Sequence, residues 1–264
     1  MALGQQYESL QPGQSLGHVE VDITADDVRA LTFANLGAEL EDDVDLAAHV
    51  QPSLVLALSL RAIMELDVIP SGGVLVGHRL SLREPLAIDD AIAVDVVIDR
   101  AWSSRGRPFV TLRITFVRGS STVSVDEMTA IWPMDDPVAL QRLPKVAATK
   151  QSSGAISQKQ VERYAAVSGD HNPLHLDDNF AAQGPFGELV VHGVIPAGLM
   201  LDNWAASHPE LLATNPVRLG FLSPLRPGEP FVIHIDDQDG TSRVVTSADQ
   251  RVIATLSVDK SVTA

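Results

Sequence analysis

The chain has 264 residues, a formal net charge of −15 and no cysteine. This length holds one large domain or two of about 130 residues. The acidity argues against a phosphate backbone as partner. The missing thiols exclude disulfides, Cys-ligated metals and cysteine nucleophiles, and they fit a reducing compartment. Aromatic residues are only 5% against 45% hydrophobic overall, so the expected core is aliphatic.

Residues 1–14 are polar, without a basic start or an apolar run, and do not read as a signal peptide. The best apolar stretch, residues 54–60, is too short to cross a bilayer and is broken by Ser59. The expectation is a cytoplasmic protein with no membrane partner. Along the chain, Thr24 has the chemistry of a helix N-cap, with helical apolar spacing behind it. Val50-Gln51-Pro52 opens an apolar helical pattern over residues 53–66. Residues 79–86 read as a strand ending near Pro85, and residues 91–98, 109–117 and 123–132 alternate as strands. Prolines and charges then mark a linker at 135–144, between units at 1–134 and 145–264.

The second unit repeats the first in order and spacing. Ser157 stands as N-cap like Thr24. Val191-His192-Gly193 leads into a buried pattern at 194–206. Residues 218–225 echo 79–86, and strands follow at 231–235, 242–247 and 251–258. Each unit is therefore predicted as α+β, the product of a duplication.

Only the second unit carries a dense polar cluster, Ser168-Gly169-Asp170-His171-Asn172-Pro173-Leu174-His175. Gly169 and Pro173 stop a helix and build a tight turn. That turn would aim one carboxylate, Asp170, and one imidazole, His175, from fixed backbone, a pair able to take and return a proton near neutral pH. Gly193 falls at a helix N-terminus, where free N–H groups and close backbone approach suit an oxygen gaining negative charge. Blander readings stand beside these. Asp170 alone could be a turn residue. His192 reads more readily as a satisfied core histidine, and Tyr164 as core. Asp177 and Asp178 fit the solvated start of a short helix. His171 and His175 have metal-ligand spacing, but Pro173 breaks the helix that spacing needs and no third ligand is apparent, so no metal is expected. His78, Trp102 and His234 lack a supporting constellation.

Residues 164–182 resemble the signature of the MaoC-like, (R)-specific enoyl-CoA hydratases and dehydratases: an aromatic, then Ser-Gly-Asp-x-Asn-Pro-x-His, then a small residue. Val191-His192-Gly193 and residues 221–228, with Pro224 and Pro227, resemble the family's following stretches. The resemblance covers about residues 155–230. It implies a double hot-dog fold, two fused hot dogs, each an antiparallel sheet around a long helix. It implies Asp170 and His175 as the pair that activates water, Asn172 as an orienting group and the Gly193 N–H as oxyanion hole. Ser168 and Gly169 would shape the loop.

The first unit departs from the pattern. It reads Ala34-Asn35-Leu36-Gly37-Ala38-Glu39-Leu40-Glu41-Asp42, which keeps a glycine but has no Asp-x-Asn-Pro-x-His. One active site per chain follows, with the first unit supplying a partner surface and a wider acyl pocket. The implied activity is a hydro-lyase that adds water to a trans-2-enoyl thioester to give an (R)-3-hydroxyacyl thioester. It needs no cofactor, because CoA or acyl carrier protein is part of the substrate. His192, Arg218 and Arg226 join the substrate-binding candidates. The two arginines, with Arg79 and Arg83, lie near strand ends where phosphates could meet them. A homodimer of double hot dogs is compatible. Two alternatives remain open at this point: a hot-dog thioesterase, or a non-autonomous acyl-thioester-binding subunit.

Overall fold

The computed structural model describes residues 7, 9–69, 73–132, 149–236, 241–246 and 251–259. The first half opens with strand β1 (Ser15–Asp22) and helix α1 (Ala25–Leu36). Thr24 and Asp27 exchange side-chain and backbone hydrogen bonds in a capping box, and Gly37 closes α1 at φ 73°. A short 3-10 turn (Leu46–His49) leads into α2 (Ser53–Glu65), followed by β2 (Val74–Leu82), β3 (Ala91–Ser104), β4 (Arg107–Arg118) and β5 (Ser121–Ile131). The expected strand at 79–86 thus begins and ends earlier. Past Leu82 the chain turns, and the Arg83 and Glu84 N–H groups both reach the Val123 carbonyl.

The second half repeats the plan. It comprises β6 (Thr149–Ala155), α3 (Gln158–Ser168), α4 (Pro173–Leu176), α5 (Asp178–Gln183), α6 (Val194–Ser207), α7 (Pro209–Thr214), β7 (Val217–Phe221), β8 (Pro230–Asp236), β9 (Thr241–Thr246) and β10 (Val252–Val258). Ser157 and Gln160 form the second capping box, and Gly169 closes α3 at φ 68°. The proposed linker, 135–144, lies outside the described residues.

The ten strands of the described residues join one sheet in the order β1-β3-β4-β5-β2-β7-β10-β9-β8-β6. Read inward from either edge, the two halves have the same order. Where they meet, β2 and β7 run antiparallel with Arg79 directly opposite Arg218. These are the same two residues that open the repeated strand motif in the sequence. A pseudo-twofold axis therefore passes between them, and the duplication has the geometry of an isologous dimer made in one chain.

Inward positions of the strands alternate as a half-buried sheet requires. On β3, Ile92, Val94, Val96 and Ile98 are fully buried and the residues between them are not. The sheet curls around the two central helices. α2 lies over β1, β3 and β5, and α6 over β9 and β10. α2 buries Leu54, Leu56, Leu58 and Ile63 completely, each such side chain contributing about 2 kcal/mol. α1 packs against α3, and α2 against α6, across the pseudo-axis. Among the described residues no helix is long and apolar enough to cross a membrane.

Several polar contacts tie the halves together, and one of them is buried at a helix end. Asp202, the one charged residue of α6, reaches the N-terminus of α2. Its carboxylate accepts the Ser53 N–H at 2.9 Å, the Ser53 hydroxyl at 2.6 Å and the Asn35 amide at 3.2 Å. Burial pushes its pKa up to about 7, outweighing the Ser53 hydrogen bonds that act the other way. The folded state then holds this proton more tightly than the unfolded chain. Its stabilising effect is full below the ordinary carboxylate range and is lost as pH rises towards 7. Asp202→Asn should remove that dependence, because one amide arm still accepts from Ser53 while the other can donate to a turned Asn35 amide. Thermal melts from pH 5 to pH 8 should show the variant gaining on the parent chain as pH rises. A constant difference in Tm would refute the assignment.

Candidate active site

The local chain explains why Asp170 and His175 are held as they are. α3 stops at Gly169, whose left-handed backbone turns the chain out of the helix. Ser168 donates its hydroxyl to the Tyr164 carbonyl at 2.8 Å and accepts the Asp170 N–H at 3.2 Å. Asp170 Oδ1 accepts the Asn172 N–H at 3.1 Å, leaving Oδ2 for other work. Asn172 caps α4 by accepting the Leu174 N–H at 3.2 Å, and Pro173 occupies the first turn of that helix. Each residue of the motif thus has a task in shaping one turn. From the first half, Arg61 on α2 donates from Nε to the Val167 carbonyl at 2.7 Å and is itself paired with Asp27. It holds the end of α3, just ahead of Asp170.

His175 Nδ1 lies 2.7 Å from the Val190 carbonyl. A carbonyl only accepts, so the ring proton sits on Nδ1 and Nε2 is left as a base. The His192 ring lies against that of His175, with centroids 3.8 Å apart and the planes tilted by 30°. Its Nε2 lies 3.0 Å from the Asp170 carbonyl, which places its proton there too. Burial, and then the neighbouring His175, lower the pKa of His192 to about 3, so it stays neutral at working pH. Tyr164 packs beside His192 at 5.1 Å. Burial first, and then the Asp170 and Asp126 carboxylates, push its hydroxyl up.

One side-chain ligand atom each from Asp170, His175 and His192 lies within 4.8 Å of the other two. Such a space suits a single water held by a carboxylate oxygen and an imidazole lone pair. The same three residues have the ligand types of a metal site, although His192 Nε2 is engaged by the Asp170 carbonyl. The sequence had offered His171 as a second ligand; it is exposed, and its ring is not in this cluster. Activity should therefore survive exhaustive EDTA treatment. Stoichiometric zinc whose removal abolishes turnover would show a metal role.

The trio opens into a cavity of about 140 Å³, lined by Asp170, Asn172, His175, His192 and Gly193 at its polar end. The remaining wall is apolar and comes from both halves, including Leu60, Val74 and Ile131 from the first and Val190, Phe221 and Leu225 from the second. A more polar opening of about 280 Å³ meets it at Asp170 and Asn172. Gly193 is the N-cap of α6, and among the described residues no side chain caps that helix; the Ile195 N–H donates to the His192 carbonyl and Pro196 has no N–H, which leaves the Gly193 and Val194 N–H groups for a ligand oxygen. A Cβ on Gly193 would meet the Phe221 ring at 3.5 Å.

Not every predicted residue joins this site. Arg218 follows strand alternation: its neighbours Val217 and Leu219 point inward, so it points out. On that outer face its Nε lies 2.5 Å from Asp259, and Arg79 binds the same carboxylate from across the axis at 2.7 Å. Both guanidiniums are engaged there, away from the cavity, and Arg218 is withdrawn as a substrate-binding residue of this site. Arg226 sits one residue beyond Leu225, paired with Glu188 and outside the lining. Arg83 lines a separate cleft. Sequence reasoning also passed over two groups. Arg61 was legible as a lone cation in an apolar helix pattern. His78 and Asp126 form a fully buried pair at 2.7 Å on the inner sheet face, behind Phe221; the inward period of β5 places Asp126 with Ser124 and Met128, which was the available signal.

Comparisons with known proteins bear on the fold and on the half that carries the motif. Residues 140–259 match the family described as MaoC like domain. The 3-hydroxyacyl-thioester dehydratase X of Mycobacterium tuberculosis is 28% identical over 149 residues, which are 53% of this chain and 51% of that protein. The matched part thus spans about half the length of that relative. The crystal structure of HtdX of Mycobacterium tuberculosis superposes with a TM-score of 0.71 at 21% identity, covering 92% of this chain and 99% of that one. A second Mycobacterium tuberculosis protein, described as having a double hot-dog fold, superposes with a TM-score of 0.66 at 17% identity over 96% of each chain. With one pseudo-symmetric sheet around two central helices, the chain has a double hot-dog fold, and its second half carries a MaoC like domain over residues 140–259.

Proposed function

We propose that the chain catalyses reversible hydration of a trans-2-enoyl thioester, of CoA or acyl carrier protein, to the (R)-3-hydroxyacyl thioester. The observation that carries this reading is the convergence of Asp170 and His175 Nε2 on one water-sized space, beside a helix N-terminus and at the mouth of an apolar cavity. The enoyl chain lies along the apolar wall with its thioester carbonyl at the Gly193 N–H. Water donates to the Asp170 carboxylate and to His175 Nε2. As its oxygen bonds to C3, one proton passes to this pair and the C2–C3 π electrons move towards the carbonyl. The Gly193 N–H stabilises the resulting enolate oxygen. The pair returns a proton to C2, so one water is added and the pair is regenerated. His192 stays neutral and holds the Asp170 backbone and the His175 ring in place.

Purified chain incubated with crotonyl-CoA should bleach the enoyl absorbance without releasing thiol. Thiol release would instead support a thioesterase. Neither change, with the ligand still bound, would support a binding subunit.

A further inference from the structure

We propose that a cleft on the opposite side of the pseudo-axis is a second, non-catalytic binding site for a saturated acyl-CoA. It is the pseudo-symmetric mate of the catalytic cavity. Val50, Gln51 and Pro52 line it where Val191, His192 and Gly193 line the other. Residues 82–86 line it where residues 221–225 line the other. In both, the opposite half supplies the facing wall: Leu60 and Val74 for the catalytic cavity, Ala205 and Leu212 for this one. Its volume is about 400 Å³, within the range of small-molecule sites.

What the duplication has removed is the chemistry. The cleft has no counterpart of the Asp170–His175 turn. Pro52 stands in the place of Gly193 and has no N–H to offer an oxyanion. The next amide, Ser53, already donates to Asp202, so a carboxylate covers the helix end where an enolate oxygen would sit. An acyl chain can enter, but nothing there would activate water or stabilise an enolate. Two charges were gained. Arg83 replaces Leu222 and Glu84 replaces Ser223, both exposed at the rim; Glu84 is paired with Arg118 at 3.3 Å, and Arg83 puts a cation at the mouth of an apolar cleft in a chain of net charge −15. Apolar walls with a cationic rim match an alkyl chain that trails phosphates.

The inference rests on the reading that the catalytic cavity takes acyl thioesters. The test is calorimetric titration of the full chain with hexanoyl-CoA, which has no double bond to hydrate, alongside crotonyl-CoA hydration. Two sites per chain are expected. Ala206 is exposed and lines the cleft, so Ala206→Trp should fill it without disturbing the core. That variant should bind one equivalent and hydrate crotonyl-CoA at the parent rate. Ala213→Trp fills the cleft from α7 should the first variant melt early. Arg83→Glu should weaken the second site at least fivefold. One site or none in the parent chain, or two sites persisting in both tryptophan variants, overturns the inference. One site with hydration intact leaves the functional reading standing; two sites without hydration removes that reading and leaves the second site.

Discussion

Asp170→Asn and His175→Ala should each lower turnover on crotonyl-CoA by about 10²-fold or more, since each removes one partner in proton transfer. The two substitutions differ in what else they disturb. An asparagine at 170 keeps an oxygen to accept the Asn172 N–H, and its backbone carbonyl still meets His192. The turn should survive, and the loss should fall on kcat with the Tm nearly unchanged. Removal of the His175 ring also frees the Val190 carbonyl and uncovers His192. A cost of about 1 kcal/mol in stability is expected from the lost hydrogen bond, so this variant needs a melt beside the assay. The rate–pH profile offers a second check. His192, with its pKa near 3, contributes no limb at neutral pH, whatever limbs the profile shows. Near-parental hydration by either variant, folded, would mean that the pair does not carry the chemistry.

How much of this was visible in the sequence varies with the length scale of the signal. The two capping boxes, the apolar central helices and the alternating strands are local patterns, and they lie where caps and periodicity place them. The repeated Arg79 and Arg218 predicted a duplication, and the register puts these two residues face to face. The turn from Ser168 to His175 was legible because its groups bond to one another within a few residues. What failed was anything set by a distant partner. Arginines near strand ends look like phosphate ligands until strand alternation turns Arg218 outward and Asp259, from the far end of the chain, engages it. Arg61 and Asp202 occupy equivalent places on the two central helices, and each meets the opposite half. Nothing in the sequence says which helix end will lie beneath them. His192 read as core, and it is buried, yet its ring also lies against the candidate base; burial alone did not separate the two readings.

The pseudo-symmetry supplies its own test of the oxyanion role. Gly193 has φ −55°, inside the narrow range that proline imposes, and its mate Pro52 has φ −53° with a similar ψ. The first half therefore shows that this backbone, at the head of a buried helix, accepts proline. Gly193→Pro should fold and pack, because an atom at the Cβ position meets Phe221 at an ordinary 3.5 Å. What it loses is one N–H, the group assigned to the developing enolate. Loss of a single donor of this kind costs about 10²–10³ in kcat, and that is the expected result. Gly193→Ala is the control. It adds the same Cβ against Phe221 but keeps the N–H, so it should lose no more than about tenfold, through narrowing of the cavity, a smaller loss than removal of the donor. The comparison isolates the donor from the added bulk. If the proline and alanine variants, both folded, hydrate crotonyl-CoA equally well, the Gly193 amide is not the oxyanion donor. The carbonyl would then have to be bound by another group of the cavity, with the Val194 N–H at the same helix end as the first to examine.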